Sequence, residues 1–459
     1  MSMKVLLLAS VSMAANVELS PGDDLASLTG ALGPGDQVTF NEGTYELESG
    51  LSWSDVLGTV DAPVEFIGKG QVWLQYEGSG RVATLSNSSH VHFSGIGFRS
   101  VEGVELQPGG IQVSSSTGVV IEDCQFEELG GTAVYFSGDS RDAVIRRNHI
   151  QDIHKYYGIY LGCSDASCWS TDALIAQNLI TDIDGDSAGG IVVENGGTGN
   201  LIQDNVLVDI LGPGIRVRST EYNPANEVIG NAIWDSVEGI VVEGAAIVRN
   251  NVVLHIEEAG IISRATRDAF EDVVISHNTV ANTGEWSVYL EDWEDASGNV
   301  LANNAIANPT GRALYLREEA PGASFMGNVV SGYVEGLDRG FDAGNGWGDY
   351  ASLDQANLYP ASVSMLIGAG VEDAEAYVPS TDFSGVPRDG DAPDVGAYEY
   401  ISAENPGWVL KKEFKVLGFD EGVLSNEIEG CRGGRDNGEG LVIFGLVGLL
   451  GLGSWRRRQ

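Results

Sequence analysis

One pattern returns about once every 25 residues along most of this chain of 459 residues. The stretch Ala143-Val-Ile-Arg-Arg-Asn-His-Ile150 is one clear copy of this pattern. The position of Asn148 recurs at intervals of 20 to 30 residues, as Ile96, Cys124, Asn148, Asn178, Asn205, Asn231, Asn251, Asn278, Asn304 and Asn328. An internal repeat of this length is typical of a solenoid, in which each repeat stacks on the one before it.

Each repeat predicts two strands. The first carries the asparagine position, and the second follows a Gly-Ile-x-Val pattern, as in Gly158–Leu161, where inward and outward side chains alternate. Glycine, aspartate and asparagine separate the strands and suit tight turns. A repeat this short has no room for a helix beside its strands, so we predict an all-β parallel β-helix of about eleven coils, about 50 Å long. Stacked asparagines are expected to hydrogen-bond from coil to coil.

Both ends of the chain depart from the repeat. Leu25, Leu28 and Leu32 share one helical face, which predicts an N-terminal capping helix over the first coil, where a solenoid would otherwise expose unpaired backbone. The predicted organisation is a signal peptide at 1–14, an N-terminal cap at 15–48, β-helix coils at 49–331, an irregular terminal coil and cap at 332–400, a tether at 401–430, and a sorting tail at 431–459.

The repeats resemble the right-handed parallel β-helix family, the pectate-lyase-like superfamily, over most of residues 17–400. The opening segment Leu28…Pro34-Gly-Asp36…Gly43-Thr-Tyr45 is similar to the entry segment of that family's polysaccharide lyases. The segment Gly385-Val-Pro-Arg388…Pro393-Asp-Val-Gly-Ala-Tyr-Glu399 resembles the last coil of a bacterial surface subgroup. The resemblance implies a right-handed, single-stranded solenoid. This fold carries lyases, hydrolases, epimerases and binding proteins, so function has to be argued from the site.

The N-terminus and the charge favour an exported protein. Residues 1–14 resemble a short secretory signal, in which Lys4 precedes an apolar run and small residues mark a cleavage site. An oxidising compartment would allow Cys163 and Cys168 to form a disulfide, whereas Cys124 lies at the asparagine position and is expected to be a buried thiol. The formal charge of −41 argues against nucleic acid as a partner and favours an acidic, solvated surface.

The C-terminal tail resembles a MYXO-CTERM sorting tag. Cys431 stands among small residues, an apolar run follows, and three arginines end the chain at 456–458. The resemblance implies processing near Cys431 and anchoring at the surface of a bacterial cell. The alternative is a plain C-terminal membrane anchor, with the arginines on the cytoplasmic side.

Outward residues of the second strands form two neighbouring rows. The first row is Gln112, Tyr135, Tyr160, Val192, Arg216, Val241, Ile262, Tyr289 and Tyr315. The second is Ser114, Ser137, Gly162, Glu194, Arg218, Glu243, Arg264, Glu291 and Arg317, and its last six members alternate in charge. Opposite charges on neighbouring strands favour one register, so a stabilising ion-pair ladder is one interpretation.

A polysaccharide-binding face is the other interpretation, because tyrosine rings stack on sugar faces and arginine forks bind carboxylates. It assigns to the binding face Tyr135, Tyr160, Glu194, Arg216, Glu243, Arg264, Tyr289, Glu291, Tyr315 and Arg317. Arg216 has no oppositely charged neighbour within the alternating row, which makes it the favoured ligand contact. We therefore expect a surface-anchored polysaccharide-binding protein, with a structural or adhesive rod as an alternative.

A lyase acting on a uronic-acid polymer is a further alternative. β-Elimination needs a cation to neutralise the carboxylate and a base to remove the neighbouring proton. Arg216 and Arg218 are candidates for the cation, and the candidate bases are His154, Lys155, Tyr156 and Tyr160. The sequence lacks the His-Gly pair of polygalacturonase-like hydrolases, the Arg-x-Pro-x-x-Arg of pectate lyases and the Asp-Pro-His-Glu of alginate epimerases. Whether the chain is an enzyme therefore stays open.

A column of polar residues lies four positions after the asparagine: Glu128, Asp152, Asp182, Asp209, Asp235, His255, Asn282 and Asn308. These positions end a strand, so we interpret most of them as turn residues. The local excess of carboxylates at Asp182, Asp184 and Asp186 makes Ca²⁺ a possible ligand, although the spacing is not that of an EF-hand.

Overall fold

The chain winds into a solenoid of parallel strands. The computed structural model describes residues 14–416, apart from 26–27, 29–31, 102, 104–106, 186, 220–224, 266–270, 373–376 and 389–391. Within that range about eleven coils stack, each pairing in parallel with the coils before and after it, and helix is almost absent. Each full coil contributes strands to three faces, here called faces A, B and C. The predicted all-β parallel solenoid is confirmed.

The strands of each face are as follows. Face A contains Asn16–Leu19, Val91–Ser94, Val120–Glu122, Val144–Arg146, Leu174–Ala176, Leu201–Gln203, Asn226–Ile229, Ala246–Arg249, Val273–Ser276, Val300–Ala302 and Ser324–Met326. Face B contains Gly97–Arg99, Gln125–Glu127, His149–Ile153, Leu179–Ile183, Val252–Ile256, Thr279–Thr283 and Phe341–Ala343. Face C contains Leu51–Ser54, Arg81–Ser86, Gly109–Ser114, Val134–Ser137, Tyr157–Leu161, Gly189–Val193, Ile261–Ser263 and Trp286–Leu290.

Some strands continue around a corner of the solenoid. Gln37–Leu47 and Val64–Tyr76 run from face A into face B, and Val206–Arg218, Ala232–Glu243, Ala305–Leu316 and Asn328–Glu335 run from face B into face C. The remaining elements are the parallel pair Ser140–Arg141 and Ser170–Thr171, the antiparallel pair Tyr350–Ser352 and Asn357–Pro360, and the 3₁₀ turns Gly346–Asp349 and Leu353–Gln355. These lie outside the main faces.

The core fills the inside of the solenoid with one apolar column per inward position. On face C, for example, Ile159, Ile191 and Ile215 stack in register and are fully buried. Branched residues dominate because they pack well on a pleated surface. Burying each such side chain contributes roughly 1.5–3 kcal/mol relative to exposure, which offsets the entropy cost of ordering a long chain.

The asparagine position forms a ladder at the corner between faces A and B. In each step, one asparagine donates its backbone N–H and its side-chain amide to the Oδ1 of the next asparagine, as from Asn178 to Asn205 at 3.0 and 2.9 Å. The same amide also donates to a carbonyl of an earlier coil, 2.9 Å away for Asn178 and Ile145. Cys124 occupies this position as a buried free thiol, as predicted, and donates its backbone N–H to Asn148. The ladder satisfies polar groups that the corner would otherwise bury unpaired.

The N-terminal cap is described in part. Leu25 and Leu28 are buried against the core and Leu32 packs on it, as the shared apolar face predicts. Residues 26–27 and 29–31 lie outside the described residues, so the capping helix stays a prediction. The signal peptide, at residues 1–14, falls almost entirely outside them as well.

Residues 345–416, here called the strap, lie along the outer surface of face B. Many outward residues of face B are apolar, among them Val206, Trp234 and Leu254, and these form one buried cluster with strap residues. The strap contributes Tyr350, Leu358, Tyr359, Leu366, Phe383, Val395, Ala397, Tyr398, Trp408 and Leu410. Residues 401–416 are therefore not a free tether, and most of the expected terminal cap covers a side of the solenoid, because an apolar sheet face needs cover.

Polar contacts fix the strap at several coils. Lys415 is 1 % exposed, and its Nζ lies 2.6 Å from Asp204 Oδ1, 2.7 Å from the Gly230 carbonyl and 3.6 Å from the ring centre of Phe383. Burial lowers the pKa of Lys415, while the carboxylate of Asp204 opposes that shift. Farther along the solenoid, Ala397 N donates to Thr279 Oγ1 at 2.9 Å. The strap thus spans several coils of face B.

The C-terminal motif noted in the sequence organises the strap. Asp382 accepts the backbone N–H groups of Ser384 and Val386, each at 2.8 Å, and that of Glu399 at 2.9 Å. The fully buried Arg388 donates to Glu399 at 3.3 Å and to Asn250 of face A at 2.9 Å. The motif therefore forms a buried network of paired charges.

Candidate functional site

Face C carries the two predicted rows in register. Tyr135 stacks over Tyr160, Val192 over Arg216, and Tyr289 over Tyr315. The outward side chains here include aromatic and charged residues, together with the buried Val192, Val241 and Ile262. The face divides into two aromatic clusters with a charged segment between them.

The first aromatic cluster consists of Tyr135, Tyr156, Tyr157 and Tyr160. The ring centres of Tyr157 and Tyr160 lie 4.7 Å apart, and those of Tyr135 and Tyr160 lie 5.4 Å apart. All four rings are partly or largely exposed, so their faces are available to a ligand. Edge-on and offset contacts of this kind hold the rings in fixed orientations.

Two cations lie over rings of the first cluster. The guanidinium carbon of Arg81 is 5.3 Å from the ring centre of Tyr135, and the Nζ of Lys155 is 5.4 Å from that of Tyr156. Among the described residues, neither cation has a carboxylate within 4.0 Å. The cluster therefore combines aromatic surface with positive charge.

The second aromatic cluster consists of Trp286, Tyr289, Tyr315 and Tyr333. Tyr289 and Tyr315 stack with ring centres 5.0 Å apart, and Trp286 lies 4.9 Å from Tyr315 and 6.0 Å from Tyr333. Arg312 lies over Trp286 with its guanidinium carbon 5.5 Å from the ring centre. Both clusters thus have the same composition of stacked rings and a cation.

Ion pairs fill the segment between the clusters. Arg218 Nη1 lies 3.0 Å from Glu194, its Nε bonds to Glu243, and Arg264 Nε lies 3.1 Å from the other oxygen of Glu243. The side chains of Glu194 and Glu243 are only 3 % and 1 % exposed. A separate pair joins Glu291 and Arg317. The alternating row is therefore an ion-pair ladder, and its two buried glutamates have no free surface for a ligand.

Arg216 has no oppositely charged neighbour within the alternating row, but the structure places a carboxylate from outside that row beside it. Its Nη2 lies 3.7 Å from Glu238 Oε2 on the next coil, and its Nε is buried without a hydrogen-bond partner among the described residues. Glu238 belongs to no predicted row, so the alternating pattern could not reveal it. The side chain of Arg216 is 19 % exposed. Arg216 lies near Tyr157 of the first cluster. Burial raises the pKa of Tyr157, and the positive charge of Arg216 opposes that shift.

Two candidate catalytic residues belong to a shared network. Tyr160 lies beside Glu194, which in turn pairs with Arg218. Burial raises the pKa of Tyr160, and the charge of Glu194 raises it further, so its phenol stays protonated at neutral pH. Tyr160 can therefore donate a hydrogen bond but is not available as a base at neutral pH. Arg218 has its donors engaged by two carboxylates. Lys155 contacts Tyr156 rather than this network.

The polar column after face B behaves as turn residues. Glu128, Asp152, Asp182, Asp209, Asp235, His255 and Asn282 all have φ between 52° and 57°. This left-handed conformation suits aspartate and asparagine, which confirms their predicted turn role. Lys412 of the strap bonds to Asp209 in this column.

The proposed Ca²⁺ ligands lie beside the same column. Asp184 Oδ1 is 3.4 Å from His154 Nδ1, and His154 Nε2 is 3.3 Å from Glu128. Asp182 lies one coil from Asp152, and Asp186 falls outside the described residues. Among the residues that the structure describes, no three His, Cys, Asp or Glu side chains are arranged to hold a metal ion. Nearby, Cys163 and Cys168 form a disulfide with their Cα atoms 5.4 Å apart.

Sequence reasoning missed a third outward row, which contains Tyr157, Glu238, Trp286 and Arg312. In the strand Tyr157–Leu161 the register skips Gly158, and a Cβ on Gly158 would lie 2.9 Å from the core residue Ile180. Two successive residues therefore point inward, and the residue before the glycine points outward. The glycine that recurs at this position was the available signal.

The chain is similar to known β-helix proteins. The family model described as "Right handed beta helix region" matches residues 158–330, and the one described as "Periplasmic copper-binding protein (NosD)" matches residues 71–231. No curated protein sequence matches the chain. The second description names copper, but no three His, Cys, Asp or Glu side chains among the described residues are arranged to hold a metal ion.

Solved structures agree on the fold. The complex of XylC with xylose has a TM-score of 0.57 and 10% identity, and the match covers 85% of this chain and 98% of that one. The A-module of the mannuronan C-5 epimerase AlgE6 from Azotobacter vinelandii has a TM-score of 0.53 and 16% identity over 69% and 92%. The PL6 family polysaccharide lyase Pedsa3628 from Pseudopedobacter saltans has a TM-score of 0.52 and 14% identity over 84% and 100%. The chain is a right-handed β-helix repeat protein.

Proposed function

We propose that this protein binds a polysaccharide along face C. The observation that carries the proposal is the pair of aromatic clusters on one face, each with partly exposed rings and a cation lying over a ring. Aromatic rings remove apolar sugar faces from water, and arginine and lysine donate to hydroxyl and carboxylate oxygens. Such a face suits a long polar chain better than a small ligand that needs an enclosed pocket.

The spacing of the clusters fits an extended ligand. Tyr160 and Tyr289 are separated by five coils in the register of face C. Adjacent parallel strands lie about 4.8 Å apart, so the two clusters are about 24 Å apart. One chain of several sugars that contacts both would gain from the linked binding of two sites.

Proteins of similar fold give further support. The structures named above include a complex with xylose, a mannuronan epimerase and a polysaccharide lyase, so proteins of this fold do engage sugars. At 10% to 16% identity they support the class of ligand and do not identify the sugar.

Binding rather than cleavage is the activity we propose. Arg218 is engaged by Glu194 and Glu243, and the raised pKa of Tyr160 keeps its phenol protonated and so unavailable as a base, which leaves two of the six candidate catalytic residues poorly suited to β-elimination. Absorbance of an unsaturated product, followed in the same samples as binding, would contradict this assignment if it grew on any uronic-acid polymer.

Affinity electrophoresis of the full-length protein in gels that contain alginate, polygalacturonate or xylan tests the binding. We expect Tyr160→Ala and Tyr289→Ala each to weaken binding about tenfold, because central aromatic contacts carry most interface energy. The matched control is Tyr377→Ala, an exposed tyrosine of the strap, which should migrate like the unaltered protein. If the unaltered protein unfolds normally on heating but is not retarded in any gel, it does not bind these polysaccharides. The structural rod would then be the favoured function.

We also propose that the protein is exported and anchored at the cell surface. The N-terminal segment, the tail around Cys431 and the match to a periplasmic family support this. Within residues 14–416, as far as they are described, no helix is long and apolar enough to cross a membrane. Cell fractionation with Cys431→Ala should move the protein from the surface fraction, and an unchanged distribution would argue against processing at Cys431.

A further inference from the structure

Arg81 is a cation of face C that no sequence pattern singled out. It begins the strand Arg81–Ser86, and its Nη1 donates to the carbonyl of Thr132 at 3.2 Å. In the register, Arg81 pairs with Gly109, and the backbone N–H of Gly110 bonds to Thr132 of the following coil. The side chain therefore crosses one whole coil to reach Tyr135 of the first cluster.

Two glycines make room for the guanidinium. A Cβ on Gly109 would lie 1.8 Å from Arg81 Nη1, and a Cβ on Gly131 would lie 3.2 Å from it. Any other residue at position 109 would displace the arginine. The placement of Arg81 is thus built into three coils and is not one rotamer of a free surface side chain.

The charge of Arg81 is not neutralised by the described residues. The chain has 66 acidic and 25 basic residues, and Arg218, Arg264 and Arg317 on the same face all have carboxylate partners. No described carboxylate lies within 4.0 Å of Arg81. Its Nε and Nη2 have no protein partner among the described residues, and neither atom is fully buried. Burial lowers the pKa of Arg81, which marks a charge that water solvates poorly.

We propose that Arg81 binds the carboxylate of an acidic sugar whose ring lies on Tyr135 and Tyr160. This inference rests on the proposed binding at face C and deepens it by naming the class of ligand, an acidic polysaccharide. The planar guanidinium, with one edge free, matches a carboxylate through two parallel hydrogen bonds. A sulfate ester shares the negative charge and is therefore the alternative anion to be tested.

The test compares polymers that differ only in charge. Full-length protein is titrated with polygalacturonate, alginate and the carboxyl-reduced form of each, and cellulose sulfate serves as the sulfated probe. Arg81→Gln should weaken binding to the carboxylated polymers about tenfold and leave binding to the reduced polymers unchanged. Arg81→Lys keeps the charge but not the planar fork of donors, so its affinity for the carboxylated polymers should lie between those of the unaltered protein and Arg81→Gln. This variant provides the test if Arg81→Gln folds poorly.

The control variant is Arg99→Gln. Arg99 also lies over an aromatic ring, 4.6 Å from the ring centre of Trp73, but it belongs to face B and has Glu127 within 3.4 Å. This variant should bind every polymer as the unaltered protein does. Equal losses for carboxylated and reduced polymers in Arg81→Gln would overturn the carboxylate assignment, as would a loss confined to cellulose sulfate.

The outcomes also separate this inference from the function on which it rests. If Tyr160→Ala weakens binding while both Arg81 variants bind carboxylated polymers normally, face C binds polysaccharide and the role of Arg81 is wrong. If the unaltered protein binds none of the polymers, the proposed function fails and the role of Arg81 fails with it.

Discussion

Faces B and C of this solenoid have similar inward residues and differ in their outward ones. On face B, from the coil of Leu179 onward, many outward residues are apolar, such as Val206, Trp234 and Leu254, and the strap buries them. On face C the outward residues include the two aromatic clusters, and the rings of Tyr160 and Tyr289 remain partly exposed, whereas Val192, Val241 and Ile262 between the clusters are buried. The strap covers the apolar part of face B, and face C presents its aromatic clusters to solvent.

The difference shows how one repeat serves two purposes. The inward positions and the asparagine ladder set the coil, and they are nearly the same in every repeat. The outward positions are free of that constraint, because side chains alternate across a strand. Face B uses this freedom to bind another part of the chain, and we propose that face C uses it to bind a polysaccharide.

Loss of the buried strap contact should have the largest effect. Lys415→Met removes the partner of Asp204 and leaves a carboxylate that is 4 % exposed without its cation. We expect a loss of about 3–5 kcal/mol in the free energy of unfolding, measured with urea, since breaking a buried ion pair strands the remaining charge. Polysaccharide binding should survive in the folded fraction if the two faces are independent.

Lys411→Met is the matched control for that experiment. Lys411 pairs with Glu413 at 2.7 Å, but the two side chains are 51 % and 67 % exposed. Such a pair contributes less than about 1 kcal/mol. Equal destabilisation by both variants would show that the buried pair does not fix the strap.

The ion-pair ladder should give an intermediate effect. Glu243→Gln removes the charge that Arg218 and Arg264 share on face C. We expect a loss of about 1–3 kcal/mol in thermal or urea unfolding, with little change in polysaccharide affinity, because the Glu243 side chain is buried.

Glu291→Gln provides the comparison for the ladder. It breaks the pair with Arg317, whose side chain is 52 % exposed, and should cost less than about 1 kcal/mol. If Glu243→Gln abolished binding without lowering stability, the ladder would be a ligand site and the division between clusters and ladder would be wrong.

The smallest expected effect concerns the acidic column at the corner between faces B and C. Burial raises the pKa of Asp152, and the neighbouring Glu128 and Asp182 raise it further. Ionised Asp152 therefore opposes folding: the cost builds as the pH rises from the unfolded pKa to the raised folded pKa, is fully present above it, and disappears in acid, where the group is protonated in both states. Asp152→Asn should stabilise the protein at pH 7 by about 0.5 kcal/mol and lose that gain on acidification.

Asp142→Asn is the control for the effect of an asparagine in the left-handed backbone conformation that Asp152 also adopts. Asp142 has a φ of 54°, the same as Asp152, and is exposed. The substitution should change thermal unfolding at pH 7 by less than the Asp152 variant does. A pH-independent gain in Asp152→Asn would assign the effect to the turn rather than to charge.

Much of the fold could be read from the chain. The recurring asparagine predicted the coil, the register and the ladder, because a solenoid places equivalent residues of successive repeats in direct contact. The alternation in Tyr157–Leu161 correctly placed Tyr160 outward, and the alternating charges of Glu194, Arg218 and Glu243 predicted the ion pairs that the structure contains.

Only part of the candidate site could be predicted from the sequence. Tyr157 and Trp286 escaped detection because the small residues that follow them, Gly158 and Ser287, are skipped in the register, which breaks a strict period of two. Arg81 escaped because its position depends on Gly109 and Gly131, residues 28 and 50 positions later.

The sequence by itself determined the solenoid, since each repeat needs only its two neighbours to bury its apolar side chains and pair its backbone. Tertiary structure decided what covers each face. The strap returns to face B, where Lys415 meets Asp204 across 211 positions of sequence, and Arg81 reaches Tyr135 across an intervening coil. Contacts between neighbouring repeats leave a period in the sequence. Contacts made once, between distant residues, leave none, and it is these contacts that cover the apolar part of face B and place Arg81 over the aromatic cluster of face C.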